Sequence, residues 1–177
     1  MCSSDLAAAS AMLAWLVVEK FRAGHATSLG AASGAVAGLV AITPCAGFVG
    51  GMAPIVIGLA AGAVCYLALG LKTKFGFDDS LDVIAVHLVG GLIGALLLGF
   101  FADKSVNSLG ADGWFFGGGA DLFGKQVLAC VATLVFSFVV TWVVAKVLDK
   151  TIGLRVSNEA ELIGLDQSQH AESAYQA

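Results

Sequence analysis

Apolar runs in this chain are long and nearly free of charge, and short charged clusters separate them at wide intervals, as in a chain threaded repeatedly through lipid. The first run, Leu6 to Val18, is too short to span alone and ends at Glu19, Lys20 and Arg22, so it reads as the end of a longer helix over residues 7–20. From Ala23 to Leu71 there is no Asp, Glu, Lys or Arg, and breaks at Thr43-Pro44 and Gly50-Gly51 divide this stretch into helices over 28–48 and 53–71. Lys72, Lys74, Asp78 and Asp79 form a loop, and residues 80–102 are apolar apart from Asp82 and His87. A glycine-rich, mixed-charge segment over 103–125 leads to a last span at 126–149, and residues 151–177 form a polar tail. The fold class is all-α: a polytopic membrane helix bundle with a polar C-terminal tail.

Composition agrees, with 58% hydrophobic and only 12% charged residues, against the roughly 25% charged typical of a soluble domain. The net charge of −4 gathers in loops and tail, and nothing points to nucleic acid. Cys2, Cys45, Cys65 and Cys130 are far apart and form no CxxC, so no metal or cofactor is expected from them. Residues 1–6 read as a non-native start, because Cys-Ser-Ser-Asp-Leu is what a common sequencing-adapter tail encodes, and the chain reads as a fragment.

Basic residues stay cytoplasmic in short loops. Lys20 and Arg22, then Lys72 and Lys74, then Lys146, Lys150 and Arg155 follow alternate spans, which puts those ends and the tail on the cytoplasmic side. Small residues recur at four-residue spacing, at Gly34 and Gly38, at Gly58 and Gly62, and at Gly91, Ala95 and Gly99, the pattern of closely packed membrane helices. Gly119 to Lys125 has the spacing of a phosphate-binding loop, but Gln126 stands where Ser or Thr is needed and no strand precedes it, so the glycine run reads as a flexible extracytoplasmic loop.

His87 is the residue of most interest, since an ionisable group inside an apolar span is costly and faces a bundle interior by default. Asp79, Val83 and His87 fall on one helical stripe that continues to Gly90, Gly91 and Gly94, which would put the imidazole on the packed face. A core histidine bonded to one carbonyl is the plainer reading. Asp79 and Asp82 suit a helix N-cap, or a cation-attracting cytoplasmic mouth.

Three stretches carry a family resemblance: Gly34 to Pro44, Asp79 to Gly91, and Gly153-Leu154-Arg155-Val156. They closely resemble the ammonium transporter (Amt/Rh) family, and Gly164-Leu165-Asp166 with His170 to Tyr175 resembles its bacterial channels. The resemblance implies the last five of eleven helices, a homotrimer with one pore per subunit, and a place in the bacterial inner membrane. His87 matches the second of the family's two pore histidines, a proton relay for ammonium and ammonia, with Val83 lining the pore. Leu88 stands where the family often has Gly. The tail, with Arg155 and Tyr175, would take part in regulation by a soluble PII-type signal protein. An ammonium sensor signalling through that tail is the alternative. Removing a proton from ammonium costs only about 3–5 kcal/mol, because its pKa lies a few units above neutral. Moving the bare charge through hydrocarbon costs tens of kcal/mol by a Born estimate.

Overall fold

The computed structural model describes residues 3–173, so Cys2 and Tyr175 lie outside the described residues. It is all-helical among those residues, and it divides into two compact units, residues 1–131 and residues 132–177.

The first unit is built on α1 (Ser3–Ala23), α2 (Ser28–Ile42) and α3 (Ala53–Ala68), with a short α4 (Gly70–Phe75), a π-helical segment (Ile84–Val89) and α5 (Gly90–Phe101). Helix α1 is 21 residues, longer than its apolar run, and reaches about 30 Å at 1.5 Å per residue. It buries Ala7, Ala11 and Trp15 between the other two. The core is made of small groups: Ala37, Ala41, Ala61, Cys45 and Cys65 are fully buried with Ile57. Small side chains let backbones approach, which in lipid stands in for the hydrophobic drive that water supplies elsewhere. A Cβ at Gly62 would fall on the Ala11 carbonyl, one at Gly58 on Ser10 and Ala7, and one at Gly38 on Ala7. The third glycine stripe differs from the expected one. Gly90 and Gly94 face Ala37 and Ala41, whereas a Cβ at Gly91 would meet open space.

Paired residues fix the directions. Ala7 lies beside Gly58, Ala11 beside Gly62, and the Trp15 and Tyr66 rings meet edge to face at 5.6 Å, so α1 and α3 run parallel. Helix α2 runs against both, since Glu19 meets Gly30 at one end and Ala7 meets Gly38 at the other. Lys20, Arg22, Lys72 and Lys74 therefore gather at one end of this unit.

Several boundaries differ from the sequence reading. Helix α2 stops at Ile42 and gives way to a 3-10 turn, Thr43–Cys45, in which Pro44 has no N–H to continue the ladder. The span expected from residue 80 begins at 83, because Asp82 has a left-handed φ of 56°. The last helix, α6 (Asp121–Thr151), begins five residues early, with a Lys125 Nζ–Asp121 Oδ2 pair of 2.6 Å in its first turn. That pair also occupies the lysine of the phosphate-loop lookalike. The glycine run before it is a tight, bonded turn: the Gly118 N–H donates to the Gly113 carbonyl at 3.0 Å, and Gly117 takes φ 90° after the 3-10 turn Trp114–Phe116. Trp114, Phe115 and Phe123 all pack on Phe100.

Among the described residues, four helical stretches are long and apolar enough to cross a membrane: Ser28–Cys45, Ala53–Phe75, Ile84–Phe101 and Asp121–Thr151. Helix α6 buries no residue and exposes Phe136, Phe138 and Trp142, as a span apolar on all sides does when its solvent is lipid.

The second unit holds the rest of α6 and two short helices, α7 (Asn158–Ile163) and α8 (Leu165–His170). Ser157 Oγ caps α7 by accepting from the Ala160 N–H at 3.2 Å, and Gly164 at φ 102° ends it. Leu162, Ile163 and Leu165 stay exposed.

Candidate functional site

The candidate residues lie where α4 turns back into the π-helical segment. Gly76 closes α4 in the left-handed conformation, with the Phe77 N–H donating to the Lys72 carbonyl at 3.0 Å. Asp79 then acts as a cap from outside the helix. Its Oδ1 accepts from the Val83 N–H at 2.8 Å and its Oδ2 from the Ile84 N–H at 2.9 Å. The bond from Ile84, with that from Val83 and the nearby Lys72 charge, holds the Asp79 carboxyl below its ordinary pKa, against a smaller opposing effect of burial. The cap is therefore intact above the ordinary carboxylate range and is lost as pH falls through the lowered value. We expect Asp79→Ala to speed amide exchange at Val83 and Ile84 at neutral pH, measured by hydrogen exchange; rates equal to wild type would remove the capping role.

Asp82 does not cap. It pairs with Lys72, Nζ to Oδ1 at 2.5 Å, while the same ammonium lies 3.4 Å from the Asp79 carbonyl oxygen. Because Asp79 and Asp82 both precede the first helical residue, the stripe from Asp79 through Val83 to His87 does not form. His87 is displaced from the packed face as well. Ala85 and Val86 are the buried pair, Val86 in a cluster with Trp15, Ala37 and Cys65, whereas Val83 and His87 are exposed. The reason is local: a π-helical turn holds one residue more than an α-turn, which shifts the register of everything before Gly90. The result is an imidazole on an exposed side of an apolar span, about one turn from the Lys72–Asp82 pair. Two open cavities, about 510 and 170 Å³, lie instead at the opposite end of the unit, the larger lined by Met52, Phe101, Asp103, Val106, Phe115 and Phe116 among others. Neither touches His87.

The profile of the Ammonium Transporter Family matches residues 1–175. The chain belongs to the ammonium transporter family. An ammonium transporter of Mycobacterium tuberculosis is 48% identical over 98% of this chain and 37% of its own length. That of Bacillus subtilis is 49% identical over 98% of this chain and 43% of its own length. The crystal structure of Saccharomyces cerevisiae Mep2 superposes with a TM-score of 0.82 at 38% identity, covering 89% of this chain and 36% of that one. The chain thus spans roughly two fifths of the length of these ammonium transporter relatives, and the multi-pass membrane fold is theirs.

In this ammonium transporter chain one polar junction escaped the sequence reading. Glu19, taken there as part of a charged helix end, is almost fully buried. Its carboxylate accepts from the Thr27 N–H at 3.1 Å and the Thr27 hydroxyl at 2.9 Å, while Thr27 Oγ1 accepts from the Gly30 N–H at 2.8 Å. One carboxylate so ties the end of α1 to the cap of α2. The eight-residue separation leaves no periodic trace; the only sequence signal was a threonine ahead of a small-residue helix. Glu19→Ala removes the acceptor of two partly buried donors and should cost about 1 kcal/mol. A thermal melt in detergent checks this, and an unchanged midpoint would count against the junction. In the tail, Arg155 Nε donates to Glu161 Oε1 at 2.9 Å, so Arg155 helps fold the tail helix.

Proposed function

We propose that this chain supplies one wall of an ammonium-conducting pore, the last five helices of an eleven-helix transporter, with His87 as a proton-relay residue and Val83 lining the conduit. The observation that carries the reading is the placement of His87: its ring is exposed on a side of the span that no other part of this unit covers. A histidine there remains available to a second histidine from helices outside this chain. Neutral ammonia crosses an apolar wall, the imidazole exchanges the proton, and potassium has no proton to give up. Asp79 and Asp82 mark the cytoplasmic mouth, and Lys20, Arg22, Lys72 and Lys74 put that end inside a bacterial inner membrane. We further place the protein in a homotrimer, with the tail from Gly153 on the cytoplasmic side contacting a PII-type signal protein through its exposed Leu162, Ile163 and Leu165.

The test is current across proteoliposomes holding these helices together with the preceding ones, driven by ammonium and then by potassium. Ammonium current without potassium current supports the reading, and equal currents end it. The 177-residue chain alone should give no ammonium current above protein-free vesicles, because a single wall encloses no pore.

A further inference from the structure

The π-helical segment that carries His87 is pinned at both of its ends. Beyond it, Gly94 is locked by close approach, since a Cβ there would fall on the Ala41 carbonyl, while Gly90 lies in ordinary contact range, where a Cβ would sit 3.5 Å from Cys65 Sγ and 3.6 Å from the Ala37 carbonyl oxygen. The Cys45 thiol also donates to the Gly94 carbonyl at 3.3 Å. Before it, the Asp79 carboxylate holds the Val83 and Ile84 N–H groups, and Asp82, in a left-handed conformation unusual for a side-chain-bearing residue, is tied to Lys72. A π-helical turn is less favourable than an α-turn and persists where its flanks impose it. Releasing one flank lets the turn relax by one residue, a rotation of about 100°. Position 87 would then turn part of the way toward the azimuth of Val86, which lies in one buried cluster with Cys65.

We propose that Lys72 is a positioning residue for His87: its ion pair with Asp82 holds the π-helical register and so keeps the imidazole off the packed face. The partners of Lys72 are Asp82 and the Asp79 carbonyl oxygen, not His87. It acts through Asp82 and the six residues of the segment. The consequence for ammonium passage rests on the pore reading of His87, but the register does not.

Disulfide trapping to Cys65 reads the register directly. In the 177-residue chain in lipid nanodiscs, with Cys2 and Cys130 replaced by Ala and Cys45 by Ser to keep a donor to the Gly94 carbonyl, a second cysteine is placed by Val86→Cys, His87→Cys or Gly90→Cys and the chain is oxidised. With Lys72 present, position 86 should cross-link and position 87 stay at background. Lys72→Met should shift the ratio of 87 to 86 cross-linking upward by about tenfold. Asp82→Asn, which keeps a side chain tolerant of φ > 0 while removing the charge, should give the same shift. Lys72→Arg should restore the wild-type pattern, and the yield at position 90, beyond the segment, should not move in any variant. An unchanged 87 to 86 ratio in Lys72→Met and Asp82→Asn overturns the proposal. So does a fall at position 90, which would mean general loosening rather than a change of register. A register shift alongside undiminished ammonium current in the full-length protein would leave this positioning role standing and remove the pore reading instead.

Discussion

His87→Ala abolishes selective ammonium current in the full-length transporter. The span that carries His87 has no other titratable group between Val83 and Phe101, so the substitution leaves a wall of Val, Leu, Ile and Gly with nothing to take or return a proton. Ammonia would still dissolve in such a wall, but ammonium at the mouth could shed its proton only to water, and no group along the path could hand it back. The expected loss is about 10²-fold or more, the usual contribution of a positioned proton-transfer group. Solid-supported membrane currents with ammonium and with potassium measure it. Rate and selectivity both at wild-type level would falsify the relay; a current that persists but admits potassium would still place His87 at the selective position. Leu88→Gly, at the neighbouring position, should leave the current within about threefold, because Leu88 is exposed beside the ring and fills no packed site.

Much of this arrangement was legible because lipid imposes simple rules on sequence. Charge-free runs gave the spans, and four-residue spacing gave Gly34 with Gly38 and Gly58 with Gly62, both of which lie at close helix contacts. The same rule failed at Gly91 and Ala95. Within α5 the contact with α2 runs through Gly90 and Gly94, while Gly99 of the same stripe meets Phe123 instead. The predicted stripe of Asp79, Val83 and His87 fails because the helix begins only at Val83, with Asp79 capping it from outside. No local periodicity announces a π-helical turn, which is flanked by the Asp79 cap before it and the Gly94 contact with Ala41 after it. Glu19 and Thr27 were illegible for a related reason: a charged residue near a predicted helix end reads as solvated, and only the return of α2 across α1 buries it. The aromatic group on Phe100 is likewise a product of the loop's path, which depends on the Asp103 N–H donating to the Phe48 carbonyl at 2.9 Å and the Gly113 N–H to the Ala102 carbonyl at 2.8 Å.

Gly94→Ala should be strongly damaging, and Gly91→Ala, three positions away, should be harmless. At Gly94 the new Cβ would lie on the Ala41 carbonyl oxygen, 2.7 Å from its carbonyl carbon and 2.9 Å from the Ala41 Cα. These are backbone atoms of α2, so no side chain can swing aside. Helices α2 and α5 must separate, and the Cys45 Sγ bond to the Gly94 carbonyl and the burial of Ala41 and Ile42 are lost together. Overpacking of this kind costs about 1–3 kcal/mol, and in a membrane no hydrophobic drive returns the helices to contact once they part. At Gly91 the Cβ meets open space, and alanine's better helix propensity should be neutral or stabilising by up to about 1 kcal/mol. Thermal denaturation of the two variants in the same detergent separates them. Equal midpoints would mean that α2 and α5 do not meet at Gly94, and with that contact would go the anchor that holds the far end of the His87 segment in register.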